Sequence, residues 1–212
     1  KPMKKTPTIL TIAAAALLCS CVTPDQLYNE ANALYQAKRY SEAMPKMTEA
    51  AEAGYIPAQL ALAKSYDFGN GTAKNPAQAA YWYRKAAMNG DPNAQDNLGL
   101  CYYFGTGVTK DLPTAVMWHQ RAADQGYAPA WNNLGLCYRN GEGVPQDEIR
   151  AAGCFRRAAE LGNDSGQYNL GRCYFHGVGV IQDMEQAKFW ISKAAAQGYK
   201  NAQLFMQDNN WQ

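Results

Sequence analysis

From Ala58 to Asn201 the apolar and polar positions of the chain recur every 36 residues. A small residue opens each unit (Ala58, Ala94, Ala130 and Gly166). Leucine comes next at Leu62, Leu98, Leu134 and Leu170, then tyrosine at Tyr66, Tyr102, Tyr138 and Tyr174. Steps of four put these three columns on one face of a helix. Each run ends in a glycine pair, such as Gly69 with Gly71 and Gly105 with Gly107, and glycine past a periodic apolar run stops a helix. Asn75, Asp111, Asp147 and Asp183 then stand where a second helix needs an N-cap acceptor, and Pro76 occupies the first helical position of its unit. The second helix carries Ala79, Ala115, Ala151 and Ala187, a Trp82, Trp118, Cys154, Trp190 column and paired alanines. It closes at Gly90, Gly126, Gly162 and Gly198.

A helix pair of this size cannot bury its apolar stripe alone, so the units 58–93, 94–129, 130–165 and 166–201 must stack. The expected fold is all-α, a right-handed α-solenoid of antiparallel helix pairs. The pattern A-x3-LG-x2-Y-x2-G-x-GV-x2-D-x3-A-x2-W-x3-AA-x2-G resembles the Sel1-like repeat family, a relative of the tetratricopeptide repeat. It departs at Ala63 and Thr72 in the first unit and at Cys154 in the third. Residues 27–57 keep the alanine register of a second helix but lack Gly-x-Gly, and read as a tetratricopeptide-like N-terminal cap. Residues 202–212 read as a capping helix that turns polar.

The repeated glycines are not a phosphate cradle, because a helix rather than a strand precedes them and no third glycine opens the next helix. Cys101, Cys137 and Cys173 share one position in successive units. Helices stacked roughly 8–10 Å apart hold such residues beyond the reach of a disulfide, which needs Cα atoms within about 7 Å. The candidate bridge is Cys137 with Cys154, across the two helices of one unit. Some secreted Sel1-like proteins carry one disulfide per repeat with cysteines seven residues apart, a spacing this chain lacks. His119 and His176 are the only histidines and occupy unrelated positions, so neither a catalytic triad nor a metal site is expected, and no cofactor.

The resemblance to tetratricopeptide-like solenoids implies that first helices line a concave surface with their third, fourth, seventh, tenth and eleventh positions. These are Asp96, Asn97, Leu100, Tyr103 and Phe104; Asn132, Asn133, Leu136, Arg139 and Asn140; and Tyr168, Asn169, Arg172, Phe175 and His176. A ladder of Asn97, Asn133 and Asn169 offers donors and acceptors to the backbone of an extended peptide. Tyr103, Phe104, Tyr168 and Phe175 would anchor it, and Arg139 and Arg172 would hold a carboxylate. The other reading of the asparagines is that they brace their own turns.

The N-terminus differs from the rest. Lys4 and Lys5 precede an apolar run from Ile9 to Leu18, the form of an export signal and too short for a helix across a bilayer, which needs about 20 residues. Leu18-Cys19-Ser20-Cys21 resembles the bacterial lipoprotein box. That resemblance implies removal of residues 1–20, lipid on Cys21 and a tether over 21–26, with Val22 favouring the outer membrane. Without 1–20 the chain has 17 basic and 18 acidic residues, no balance for nucleic-acid binding. The expectation is a monomeric, non-catalytic scaffold of the bacterial cell envelope, facing the periplasm or the exterior and binding a protein or extended peptide. The alternatives are an exported effector or immunity-type factor using the same groove, or hydrolysis of a peptidoglycan fragment or β-lactam. For hydrolysis no Ser-x-x-Lys motif stands in a suitable setting.

Overall fold

The computed structural model describes residues 22–211. The expected leader, residues 1–20, and Cys21 lie outside the described residues. Eleven helices and no strand occur among those described: α1 (Pro24–Gln36), α2 (Tyr40–Glu52), α3 (Ile56–Phe68), α4 (Pro76–Met88), α5 (Pro92–Phe104), α6 (Leu112–Asp124), α7 (Ala128–Asn140), α8 (Glu148–Glu160), α9 (Asp164–His176), α10 (Met184–Ala196) and α11 (Lys200–Asp208). Each helix packs mainly on the one before it and the one after it, which is the arrangement of a solenoid of helix pairs. None of the described helices is long and apolar enough to cross a membrane.

The expected caps form. Asn75, Asp111, Asp147 and Asp183 accept the backbone N–H of Gln78, Thr114, Arg150 and Gln186 at 3.1, 3.1, 2.9 and 3.0 Å. The same cap residues donate their own N–H to the carbonyls of Tyr66, Tyr102, Tyr138 and Tyr174, clamping each loop to the helix it left. The helix of the N-terminal cap starts earlier than the sequence suggested. Thr23 and Gln26 form a capping box and Pro24 takes the first turn, so residues 24–26 belong to α1 and not to a tether.

The two glycines of each loop answer to different constraints. Gly105 ends α5 at φ 72°, and its N–H bonds the Cys101 carbonyl. Gly107 is there for space: a Cβ at this residue would lie 2.0 Å from the Pro76 carbonyl oxygen, in the first turn of the preceding repeat's second helix. Gly143 meets Leu112 and Gly179 meets Glu148 in the same way. Successive repeats thus touch backbone to backbone at this corner.

A second contact between repeats is polar, and the periodicity of apolar residues did not reveal it. Gln59, Gln95 and Gln167, the second residue of three units, are buried. Each donates to a carbonyl at the end of the preceding second helix (Ala51, Ala87 and Ala159, at 3.0, 3.1 and 3.3 Å). Their own carbonyls accept from Asn89, Gln125 and Gln197. Each of these helix-end carbonyls also accepts the N–H of its own closing glycine (Gly54, Gly90 and Gly162), and the glutamine of the next repeat fills its second lone pair.

Within each unit the second helix drives one large side chain into the first. His119 covers Gly99, Phe155 covers Gly135 and Ile191 covers Gly171, each so closely that a Cβ on the glycine would lie 2.5–2.7 Å from the ring or chain. Tyr83 holds the corresponding place in the first unit, where Ala63 replaces the glycine, and all four plugs are fully buried.

Gly107→Ala should therefore cost roughly 3 kcal/mol or more in urea unfolding, from positive φ plus a backbone clash. Gly126→Ala shares a positive φ but meets open space, and should cost only about 1 kcal/mol. Equal losses would show that the close approach between repeats does not matter.

Candidate functional site: pockets between repeats

The first helices present a row of small cavities, one at each of the first three joints of the stack. Between the cap and the first repeat a cavity of about 190 Å³ is walled by Met47, Ala61, Lys64 and Ser65. The next, about 210 Å³, is lined by Asp67, Tyr83, Asn97, Leu100, Cys101, Phe104 and Thr106. The third, about 200 Å³, is lined by Leu100, Tyr103, Phe104, His119, Asn133, Leu136 and Cys137. In repeat coordinates the last two are one site: the tenth residue and the plug of one unit, with the fourth, seventh and eighth residues of the next. Leu100 and Phe104 belong to both cavities, and Phe104, 67% exposed, forms the ridge between them.

The row changes character further on. At the joint of the third and fourth repeats the tenth residue is Arg139, whose guanidinium lies over the Phe155 plug, 5.8 Å from the ring centre. Beyond it, Phe175 meets Phe205 of α11 and Trp211 at centroid distances of 5.1 and 5.8 Å, and Tyr168 packs on Tyr199 and Phe205. This face is therefore open and apolar along the first two repeats. It is basic and filled along the last two, where Arg172 and His176 remain exposed.

Several expected peptide contacts take a different place. The amide of Asn97 bonds the carbonyl and side chain of Asn93 in its own helix, at 2.8 and 2.7 Å. Asn133 donates to both carboxylate oxygens of Asp96, at 3.0 and 3.2 Å, and Asn169 donates to Asn132 at 2.8 Å. The column of asparagines forms bonds inside the stack, two of them from one repeat to the next, because the third residue of each unit supplies the nearest acceptor. Tyr168 and Phe175 are held by the C-terminal helix and do not stand free as anchors. Tyr103 donates to Glu142 in the loop of the next repeat at 2.5 Å, and that bond, with partial burial, pushes its phenol up to about 12. Phe104 keeps the open position expected of an anchor.

The plug residues were not expected at the site. The column Tyr83, His119, Phe155, Ile191 lies one residue after the tryptophan column and is legible as a repeat. Its place on the cavity floor depends on how the second helix slides under the first. His119 is the polar exception. Its Nδ1 lies 2.6 Å from Oδ1 of Asp96, with side chains only 1% and 6% exposed, so a histidine for which the sequence showed no recurring partner is half of a buried pair.

Cysteine, histidine and aspartate thus meet near one cavity, the residue types of a nucleophilic site. The thiol is not activated. Burial first, then the carboxylates of Glu142 and Asp96, push Cys137 up to about 11, and no hydrogen bond joins it to His119. Burial likewise pushes Cys101 and Cys154 up to about 11. Cys137 and Cys154, the candidate bridge, are both free and buried. Among the described residues no group of histidine, cysteine, aspartate and glutamate side chains is placed to hold a metal ion.

Comparison with known proteins sets this geometry in context. A family model described as "Sel1 repeat" matches residues 56–91, 92–127, 128–163 and 164–199. Its frame starts two residues before the small residue that opens each 36-residue unit, at the helix starts. Two similar solved structures are c5321, a protective antigen of uropathogenic Escherichia coli strains with an SLR fold, and a Sel1 repeat protein from Oxalobacter formigenes. The first is 34% identical with a TM-score of 0.83, over 90% of this chain and 42% of that one. The second is 30% identical with a TM-score of 0.82, over 88% and 76%. This chain thus spans less than half the length of the first. A Klebsiella pneumoniae Sel1 repeat protein, 21% identical with a TM-score of 0.57 over 91% and 96%, shares the fold. No curated protein matches the chain.

Thiol chemistry gives the check on the site. At about pH 8, iodoacetamide should label Cys101, Cys137 and Cys154 slowly in the folded protein, and all four described thiols fully in denaturant without reductant. Because folding raises these thiols above their ordinary 9.0, the stability they carry is intact below pH 9.0 and is lost as pH rises towards about 11. Recovery of Cys137 and Cys154 only after reduction would establish the bridge instead.

Proposed function

The chain belongs to the Sel1 repeat family, and from that premise we propose that it is a non-catalytic, lipid-anchored scaffold of the bacterial cell envelope that binds an extended segment of a partner protein along its first-helix face. The observation that carries this reading is the pair of equivalent cavities at successive joints, sharing Leu100 and Phe104. Cavities of about 200 Å³ each take one side chain; a drug-sized ligand needs about 300–1,000 Å³. Layers of helices roughly 8–10 Å apart match about three residues of extended chain at roughly 3.3 Å each. A partner segment with apolar side chains about three residues apart would fill both cavities. Its next residues would then reach Arg139 and Arg172, where an acidic group is favoured.

The asparagine amides, being bonded within the stack, leave less of the partner's backbone to be read, so side chains carry more of the recognition. Attachment at Cys21 rests on the Leu18-Cys19-Ser20-Cys21 sequence. Similarity to a protective antigen supports an exported location. The outer membrane, facing the periplasm, is the site proposed.

Two outcomes test this. Leu100→Arg should abolish crosslinked capture of partner from native envelopes while Met117→Arg, on the exposed side of α6, leaves it intact. Undiminished capture by Leu100→Arg would exclude the groove. Labelled palmitate should enter the protein in a bacterial host and be lost in Cys21→Ser; equal labelling of both would exclude the anchor.

A further inference from the structure

Resting on the groove reading, we propose that the cavity floored by His119 is a tyrosine pocket, selecting a partner side chain with an aromatic body and a hydroxyl tip. The neighbouring plugs give the contrast. Phe155 and Ile191 offer no hydrogen bond at the same position, and the Tyr83 hydroxyl is engaged, although weakly, with Asp67 at 3.4 Å. His119 brings a ring with two nitrogens to the floor of a largely apolar cavity walled by Leu100, Phe104 and Leu136. One nitrogen, Nδ1, is fixed on Asp96 at 2.6 Å, and Asp96 is itself held by Asn133.

The other nitrogen, Nε2, has no hydrogen-bond partner among the described residues. No fully enclosed side-chain nitrogen or oxygen among the described residues lacks a partner. Nε2 must therefore retain contact with open space, and the cavity that His119 lines is where that space lies.

A buried imidazole oriented by a carboxylate and left with one unmatched nitrogen favours an occupant that completes the set. In the neutral ring Nε2 accepts; in the charged ring it donates. A hydroxyl does both, so it satisfies Nε2 in either state. Serine and threonine supply the hydroxyl but leave the apolar walls unfilled, and phenylalanine fills the walls but leaves Nε2 bare. Tryptophan carries only a donor, set to the side of its ring and not at the tip. Tyrosine meets both requirements.

The side-chain analogues p-cresol, toluene and 3-methylindole, titrated into the purified protein and followed by NMR at His119 and Leu136, test the assignment. The expected result is that p-cresol shifts both residues and binds about tenfold more tightly than toluene, the size of one net hydrogen bond. In the double variant His119→Phe with Asp96→Asn, which copies the Phe155 and Asn132 of the next repeat, the preference should vanish. Toluene or 3-methylindole binding as tightly as p-cresol in the unmodified protein would overturn the proposal, as would a preference that survives the double variant. Should the variant fail to fold, the comparison in the unmodified protein decides alone. If no analogue shifts either residue, the tyrosine pocket is wrong while the groove stands or falls separately on capture by Leu100→Arg.

Discussion

The close approach of backbones between repeats is the constraint on which the rest of this molecule depends. At Gly107, Gly143 and Gly179 a loop presses against the first turn of the preceding repeat's second helix, with no room for a methyl group. Buried glutamines tie the other end of α4 and α8 to the next repeat. Second helices held at both ends in this way resist shifting against their neighbours, and the separation of first helices is set by what lies beneath them. That separation leaves cavities on the first-helix face: too narrow for a helix, wide enough for one side chain.

What distinguishes one joint from another is then a matter of single residues on an invariant frame. The plug and the tenth residue decide whether a joint is open and apolar (Tyr83 with Asp67, His119 with Tyr103) or closed by the chain itself (Phe155 under Arg139, and Phe175 packed on Phe205 and Trp211). A polar plug is costly in such a place unless its partners are supplied, and the third residue of the same unit supplies one. Asp96 accepts from both His119 and Asn133, joining two repeats through one buried carboxylate. The buried polar groups of this solenoid therefore serve register between repeats, while its exposed apolar groups mark where something else can sit.

Most of the frame was legible in the sequence because it repeats. Caps, stops and helix faces each need a particular residue type, and a need met four times at a fixed interval stands out from any single instance. The glutamines were as legible, buried at residues 59, 95 and 167 and exposed at 203, but a polar column reads as surface until its acceptors are known. The site was less legible because it is made of residues from three helices. Asn97, Asn133 and Asn169 do face their neighbours, yet their acceptors at Asn93, Asp96 and Asn132 lie one turn or one repeat away, and proximity across repeats is not written in a period. The pairing of His119 with Asp96 was hidden for the same reason, being unique to one joint. The packing of Tyr168 and Phe175 was hidden because Phe205 of the C-terminal helix and Trp211 beyond it reach them from a stretch whose letters are largely polar.

In the proposed binding mode the joints between repeats, and not the asparagine column, read the partner. A crystal structure of the protein with its captured partner segment is the decisive measurement. An extended chain is expected on the first-helix face, with side chains about three residues apart seated against Tyr83 and His119. A segment bound chiefly through its backbone to Asn97, Asn133 and Asn169, or lodged on the second helices with both cavities empty, would contradict it.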